Sequence, residues 1–178
     1  MKDIPFLIII DGPMGAGKST VAKMLHKKIK GSALISLDSI KHIISDVEMG
    51  DSKYLRLASD IGAIISQEYL RRGVSVIVEK AFTKEEFLVQ FLNAVTFRKK
   101  RLFVYQIDAP LEIRIKRIKN RYKLRGVKNP LTLKKIKQNH SEFMAFRYKE
   151  ARIFDSSKIT THKIMNQILK DIRGSRKV

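Results

Sequence analysis

The sequence predicts an α/β fold in which a five-stranded parallel sheet is covered by helices on both faces. Short, fully apolar runs of the kind buried in parallel sheets alternate with longer stretches whose apolar residues recur at helical spacing. The first apolar run leads directly into a glycine-rich loop and then into a helix. No repeat, low-complexity segment or linker divides the 178 residues, so we expect one domain spanning residues 1–178.

In the predicted order, each strand is separated from the next by one or two helices. Strands are predicted at residues 7–10, 33–37, 74–78, 102–107 and 152–154. Helices are predicted from about 18, at 39–47 and 51–72, within 83–97, from 108 to 125, from Asn129-Pro130 to about 149, and at 160–172. Thr83 and Glu86 have the spacing of a capping box at the start of one of these helices. Right-handed crossovers between such strands predict a parallel sheet that binds ligands at the carboxyl ends of its strands.

The glycine-rich loop is the most specific motif in the chain. Residues 12–19 match the phosphate-binding pattern G-x-x-x-x-G-K-[ST]. Between a strand and a helix, such a loop directs backbone N–H groups and a helix N-terminus at phosphate. The alternative, a glycine-rich turn before an ordinary helix, is disfavoured because strand, loop, lysine, hydroxyl and helix all agree. We therefore predict ATP and Mg²⁺ as cofactors, with Lys18 on the β- and γ-phosphates and Ser19 on the metal. The residues expected to contact the nucleotide are Gly12, Pro13, Met14, Gly15, Ala16, Gly17, Lys18, Ser19 and Thr20.

The net charge of +20 is concentrated in the second half of the chain. Residues 1–97 contain 13 Lys/Arg and 11 Asp/Glu, whereas residues 98–178 contain 24 and 6. Eleven basic residues and no acidic residue lie between Ile113 and Ser141. Such a field attracts polyanions, so nucleic acid stays open as a partner beside ATP and a hydroxyl-bearing acceptor. For the C-terminal lysines we prefer the alternative, an ordinary solvated basic surface.

The remaining composition is compatible with a soluble enzyme. There is no cysteine, which excludes disulfides and thiolate metal sites. The apolar run at the N-terminus covers about seven residues, too few to span a bilayer, and no cleavage site of a signal peptide follows it. We expect a cytoplasmic enzyme without a membrane partner, either a monomer or a homodimer.

Three carboxylates, Asp38, Glu79 and Asp155, are predicted at strand ends beside the loop, and the first two are candidates for the chemistry. Asp38, after the second strand, is expected to orient the acceptor hydroxyl and accept its proton. The alternative is a helix N-cap, because a helix is predicted to follow it. Glu79, which closes the third strand, is expected to hold Mg²⁺ or its waters opposite Ser19. Its alternative is a strand-end ion pair with Lys80 or an arginine.

Four arginines share one face of the predicted helix that follows Pro110. Arg114, Arg117, Arg121 and Arg125 recur at spacings of three and four residues. The planar guanidinium binds phosphate through two parallel hydrogen bonds. Because Gly126 and Asn129-Pro130 follow this row, we predict a basic helical lid over residues 114–130 that closes on the triphosphate. For any single arginine the alternative is a solvent-facing side chain.

The chain resembles the small P-loop kinases, in particular the group of polynucleotide 5′-kinases, zeta toxins and chloramphenicol phosphotransferase. The matching segments are residues 12–20, 37–41, 74–79, 109–125 and 154–157. The resemblance implies the three-layer P-loop NTPase fold. It also implies that Asp38 is the general base, with Lys41 as the basic member of an Asp-x-x-[Arg/Lys] pattern that contacts the substrate.

The resemblance extends to the lid and to the last strand. It implies catalytic roles for Arg117 and Arg121, and it places Asp155 and Ser156 beside the adenine ring. The third strand departs from the pattern, since many relatives end it with Asp where this chain has Glu79.

Together these observations predict an ATP-dependent phosphotransferase. It would move the γ-phosphate to a hydroxyl of a small molecule or of a nucleoside or nucleotide, with Asp38 as the base and Glu79 close to the substrate. Two alternatives stay open: a polynucleotide 5′-hydroxyl kinase, and an ATP-binding, RNA-associated protein that is not a kinase.

Overall fold

A computed structural model describes residues 4–44, 52–97, 100–126, 132–144 and 148–175. The predicted α/β alternation is confirmed. The strands are β1 Phe6–Asp11, β2 Ala33–Ser36, β3 Val76–Glu79, β4 Arg101–Asp108 and β5 Arg152–Asp155. The helices are α1 Lys18–Lys28, α2 Leu37–Lys41, α3 Ser52–Arg71, α4 Glu85–Ala94, α5 Leu111–Arg125, α6 Leu133–Met144 and α7 Thr161–Gly174.

The five strands form one parallel sheet in the order β2-β3-β1-β4-β5. β1 is central, and Ile8 lies opposite Ile77 of β3 and Phe103 of β4. Every residue of β1 is buried, because helices cover both faces of a parallel sheet and leave no strand face to solvent. The loop that follows β1 therefore leaves the sheet at its centre.

Alternate residues of β1 divide the core into two halves. Phe6, Ile8 and Ile10 pack with residues of α1 and α7 on one face, whereas Leu7 and Ile9 pack with α3 and α4 on the other. This division follows from the period of two in a strand. It confirms the predicted three-layer arrangement.

The beginning of α2 differs from the expectation. β2 ends at Ser36, whose hydroxyl accepts a hydrogen bond from the backbone N–H of Ser39 at 3.4 Å and caps α2. Asp38 consequently lies in the first turn of α2 instead of at the strand end, and it is not the N-cap. Residues 45–47 of the predicted helix lie outside the described residues.

The starts of α4 and α6 also differ from the predicted ones. The predicted capping box of Thr83 and Glu86 is wrong, because α4 begins at Glu85 after Lys84, which caps the helix with no side-chain hydrogen bond in the described structure. Asn129 and Pro130 lie outside the described residues, and the described part of α6 begins at Leu133. Among the described helices, none is both long and apolar enough to cross a bilayer.

Candidate active site

The loop between β1 and α1 depends on backbone conformations that only glycine supplies without strain. Gly12 has φ 144°, and a Cβ at this position would lie 2.0 Å from the carbonyl oxygen of Ile107 in β4. Gly17, at φ 103°, precedes α1 without a side-chain cap in the described structure. The first-turn N–H groups of α1 are therefore free of a capping side chain, as a helix N-terminus that binds phosphate requires.

Six of the nine predicted loop residues line a common cleft, whereas Gly12, Pro13 and Ala16 are buried and are not part of its lining. Lys18 is buried, and its ammonium donates a hydrogen bond to the carbonyl oxygen of Pro13 at 3.1 Å, across the loop. Ser19 and Thr20 are exposed and line the cleft together with Lys18. The loop can thus offer an ammonium, two hydroxyls and a helix N-terminus to one anionic ligand.

The arginine at the start of the predicted lid has a different position from the one expected. Arg114 is completely buried. It donates hydrogen bonds to the carbonyl oxygens of Ala109 at 2.8 Å and Met14 at 3.3 Å, and it contacts Nδ1 of His140. Asp108 lies 3.8 Å from its Nε. The side chain fastens α5 to the loop and to α6, so in this arrangement Arg114 is held inside the fold instead of over the cleft. The lid over residues 114–130 stays a prediction.

α6 completes this support of the loop. The buried side chain of Asn139 accepts a hydrogen bond from the backbone N–H of Met14 at 3.0 Å. Because Arg114 binds the carbonyl of the same residue, both backbone polar groups of Met14 are bonded to side chains from the helical region. Residues 127–130 of the predicted lid lie outside the described structure.

Arg117 and Ser156 are joined behind the loop. Arg117 donates to the hydroxyl and the carbonyl oxygen of Ser156, both at 2.8 Å, and to the carbonyl oxygen of Gly15 at 3.4 Å. The Ser156 hydroxyl in turn donates to the carbonyl oxygen of Ala16 at 2.7 Å. Ser156 is buried, and these bonds occupy its hydroxyl, so in this arrangement it supports the loop from behind.

Asp155 ends β5 with its carboxylate turned toward the following turn. It accepts a hydrogen bond from the backbone N–H of Ser157 at 2.8 Å and lies 3.6 Å from the ammonium of Lys158. The hydrogen bonds from Ser157 hold the pKa of Asp155 below its usual value. Neither Asp155 nor Ser156 is among the described residues that line the cleft. Their predicted contact with adenine stays a prediction.

A cleft of about 1150 Å³ opens beside the loop. Its walls are formed by the loop, by the segment that joins β3 to α4, and by the helices α2, α3, α4, α5 and α6. It brings together most of the predicted site residues, namely Met14, Gly15, Gly17, Lys18, Ser19, Thr20, Asp38, Lys41, Glu79, Arg117 and Arg121.

Glu79 lies at the base of this cleft. It is paired with Ile10, the last residue but one of β1. Its side chain is buried, and within the described part of the chain its Oε2 has no hydrogen-bond partner. A buried carboxylate oxygen without a partner is costly unless a cation or water meets it.

The donor set of the cleft fits a magnesium ion. Mg²⁺ in phosphoryl-transfer sites takes one or two protein oxygens and completes its shell with water and phosphate. The Ser19 hydroxyl and the Glu79 carboxylate, which line the same cleft, are oxygens of that kind. The described residues contain no cluster of three or more acidic, histidine or cysteine side chains that could hold a metal ion.

Lys80 is a site residue that the sequence analysis did not identify. It is 8% exposed, and its ammonium lies 4.0 Å from Asp38 in the same cleft. Burial lowers the pKa of Lys80, and the charge of Asp38 opposes this shift. The partner of Lys80 is thus Asp38 instead of Glu79. The sequence could have indicated Lys80, because it directly follows a predicted buried strand that ends beside the loop.

Asp11 is a second residue that the sequence analysis passed over. It is completely buried at the end of β1, where it accepts hydrogen bonds from the backbone N–H of Phe82 and from the side chain of Gln106, both at 2.9 Å. Burial raises the pKa of the Asp11 carboxyl. The side chain ties β4 and the segment after β3 to the strand that carries the loop.

Comparisons with known proteins agree with this geometry. A family model described as an AAA domain matches residues 7–146. A kinase candidate from Chloroflexus aurantiacus superposes with a TM-score of 0.73 at 17% identity, over 94% of this chain and 98% of that chain. The APS kinase CysC of Mycobacterium tuberculosis, solved with AMPPNP and APS, has a TM-score of 0.69 at 13% identity, over 95% and 98%.

A chain of the Pnkp1/Rnl/Hen1 RNA repair complex is also similar, with a TM-score of 0.68 at 16% identity. It is matched over 82% of this chain and 46% of its own length. No curated protein matches the sequence. At these identities the likeness establishes the fold, which is that of the small P-loop kinases.

Proposed function

The chain belongs to the AAA domain family, and from its P-loop kinase fold we propose that it is an ATP-dependent, Mg²⁺-requiring kinase that phosphorylates a hydroxyl group. The observation that carries this proposal is one cleft lined by Lys18 and Ser19 of the loop and also by Asp38. A nucleotide held by the loop and a hydroxyl bound near Asp38 would share this cleft. Phosphoryl transfer depends mainly on such positioning and on charge stabilisation.

The nucleotide side of the cleft is the loop with the N-terminus of α1. The ammonium of Lys18, which donates to the carbonyl oxygen of Pro13, would exchange this partner for phosphate oxygens. Ser19 and Glu79 would hold Mg²⁺ or its waters, and the ion would neutralise charge on the phosphates. Arg117, fixed beside Gly15 by its bonds to Ser156, would act with the loop on the nucleotide.

The acceptor side of the cleft contains Asp38 and Lys41. Asp38 has a half-exposed side chain, so its carboxylate can orient an incoming hydroxyl and accept its proton as the phosphoryl group transfers. Lys41 is buried in the same cleft and would contact the acceptor. Arg121, exposed at the cleft, would neutralise charge that develops during transfer.

The decisive experiment measures acceptor-dependent ATP consumption with Asp38→Asn. We expect ATP to bind with unchanged affinity while transfer falls at least about 100-fold, because the amide cannot accept a proton. A matched control is Asp60→Asn, an exposed acid of α3 that lines the same cleft, which should retain transfer. If Asp38→Asn keeps its activity, Asp38 is not the base.

The first step of this experiment is to find an acceptor by measuring ATP consumption against sugars, nucleosides and 5′-hydroxyl oligonucleotides. Consumption that rises with an acceptor supports a kinase. Slow hydrolysis that no acceptor accelerates would instead favour an ATP-binding protein that is not a kinase.

A polynucleotide end is a second candidate acceptor. The helices α5 and α6 contact the loop and line the cleft. Five lysines lie exposed on these two helices, namely Lys116, Lys119, Lys123, Lys134 and Lys137. If these residues bind a single strand, affinity should fall with salt by a log–log slope of roughly −0.7 for each phosphate contact. A shallow slope, with turnover independent of acceptor length, would favour a small acceptor.

A further inference from the structure

Two buried lysines of the acceptor side have no role in binding ATP in the function proposed above. Lys41 is 4% exposed and Lys80 is 8% exposed, and both line the cleft. A lysine loses hydration and side-chain entropy when it is buried, so it is seldom buried without a partner. Within the described structure the Nζ of Lys80 has no hydrogen-bond partner, and Asp38 lies at 4.0 Å, too far for a hydrogen bond.

The charges that face Lys80 leave this part of the cleft positive. Asp38 attracts its ammonium, whereas Lys41 and Lys18 repel it. In the proposed reaction Lys18 is neutralised by the nucleotide, and Glu79 is directed to the metal. Asp38 is then the one carboxylate among the charged groups that act on Lys80, and it also receives the acceptor's proton. An anionic group on the acceptor would balance the excess charge.

On this basis, and resting on the proposed function, we propose that the acceptor is a phosphorylated compound whose phosphate binds to the ammonium of Lys80, with Lys41 beside it. Lys80 is then the residue that distinguishes a phosphorylated acceptor from its unphosphorylated counterpart. The ammonium of Lys80 has three N–H donors, and phosphate oxygens can accept the hydrogen bonds that it lacks in the described structure.

The cleft offers Lys80 a matched control. Lys84 lines the same cleft four residues further along the chain, but its side chain is 64% exposed and its ammonium lies 3.5 Å from Glu86. The two test variants are therefore Lys80→Met and Lys84→Met. Methionine has a volume similar to that of lysine without the charge, so Lys80→Met should fold at least as stably as the parent protein.

The first measurement is direct binding of inorganic phosphate, with the loop saturated by Mg²⁺ and a non-hydrolysable ATP analogue. We expect saturable binding by the parent protein and by Lys84→Met. Binding should be about tenfold to a hundredfold weaker in Lys80→Met, as the loss of a charged hydrogen bond predicts. Equal affinities in all three proteins, or no saturable binding by the parent below about 10 mM, would overturn the proposal.

The second measurement compares kcat/KM for cytidine 3′-monophosphate and for cytidine, two nucleoside acceptors that differ only in the phosphate. Lys80→Met should lower the preference for the phosphorylated acceptor at least about tenfold, and Lys84→Met should leave it unchanged. Equal losses for both acceptors would show that Lys80 only positions Asp38, which overturns the proposal. A parent protein that binds phosphate but turns over no acceptor would contradict the kinase function alone.

Discussion

Replacement of Arg114 by methionine tests whether α5 braces the phosphate-binding loop. The change removes hydrogen bonds to two backbone carbonyls and a contact with His140, and it leaves Asp108 without the guanidinium 3.8 Å away. Hydrogen bonds to a charged group contribute about 1.5–3 kcal/mol each, and breaking a buried charged network costs about 3–5 kcal/mol. Methionine fills most of the space, so little is added for a cavity.

We therefore expect Arg114→Met to lower the free energy of unfolding by about 3–4 kcal/mol, within the range for a broken buried charge network. For a chain of this length the midpoint of thermal unfolding should fall by roughly 6–16 °C. Urea unfolding followed by circular dichroism measures the change, since urea does not screen charges, and the m-value should stay constant. Nucleotide affinity should also fall, because the carbonyl of Met14 loses its donor.

The matched control is Arg121→Met on the same helix. Arg121 is exposed, and its guanidinium lies 5.6 Å from the ring centre of Tyr122, so its loss should change stability by no more than about 0.5 kcal/mol. Arg114→Lys should be nearly as destabilising as Arg114→Met, because a single ammonium cannot reach acceptors in three directions. If Arg114→Met and Arg121→Met lower the free energy of unfolding equally, Arg114 does not support the loop, and it could belong to the predicted lid.

Three further predictions concern the loop and the strand before it. Gly12→Ala should destabilise the fold by at least about 3 kcal/mol, because its Cβ would meet the Ile107 carbonyl at 2.0 Å. Gly73→Ala, at a similarly left-handed φ in open space, should cost only about 1–2 kcal/mol, and equal losses by urea unfolding would contradict the clash. Lys18→Ala should reduce turnover at least about 100-fold with stability nearly unchanged; an active, folded variant would contradict the kinase function. Because burial raises the pKa of Asp11 above 3.8, the folded state keeps a proton that the unfolded state releases, so stability should decline as pH rises from about 4 through the folded-state pKa. Asp11→Asn should remove this decline in urea titrations between pH 4 and 8, and an unchanged slope would show that Asp11 is not its source.

The central part of the fold was predictable because its signals are local. An apolar run, a loop with glycines at set positions, and a helix after it specify β1, the loop and α1 through neighbours in the chain. The strand–helix alternation extends the same argument to the sheet, since crossovers between parallel strands have one hand. Glu79 could be assigned to the cleft because the ends of parallel strands meet at one edge of a sheet. Asp38 was assigned there because it closely follows the second strand, and Lys41 through the Asp-x-x-[Arg/Lys] pattern of the resemblance.

The burial and the pairing of individual charged side chains depend on parts of the chain that are distant in sequence. Arg114 and Arg121 share a residue type, a helix and a face by spacing, but α6 and the loop enclose the first and leave the second exposed. Lys80 and Lys84 both follow β3 within five residues, and the sequence does not distinguish them. Asp38 of α2 approaches Lys80, whereas Lys84 lies at the surface beside Glu86. Burial and pairing are set by groups that approach from other elements, and spacing along the chain carries no information about them. Local pattern therefore specifies where the cleft forms, and three-dimensional packing determines which charges within it are left to meet a ligand.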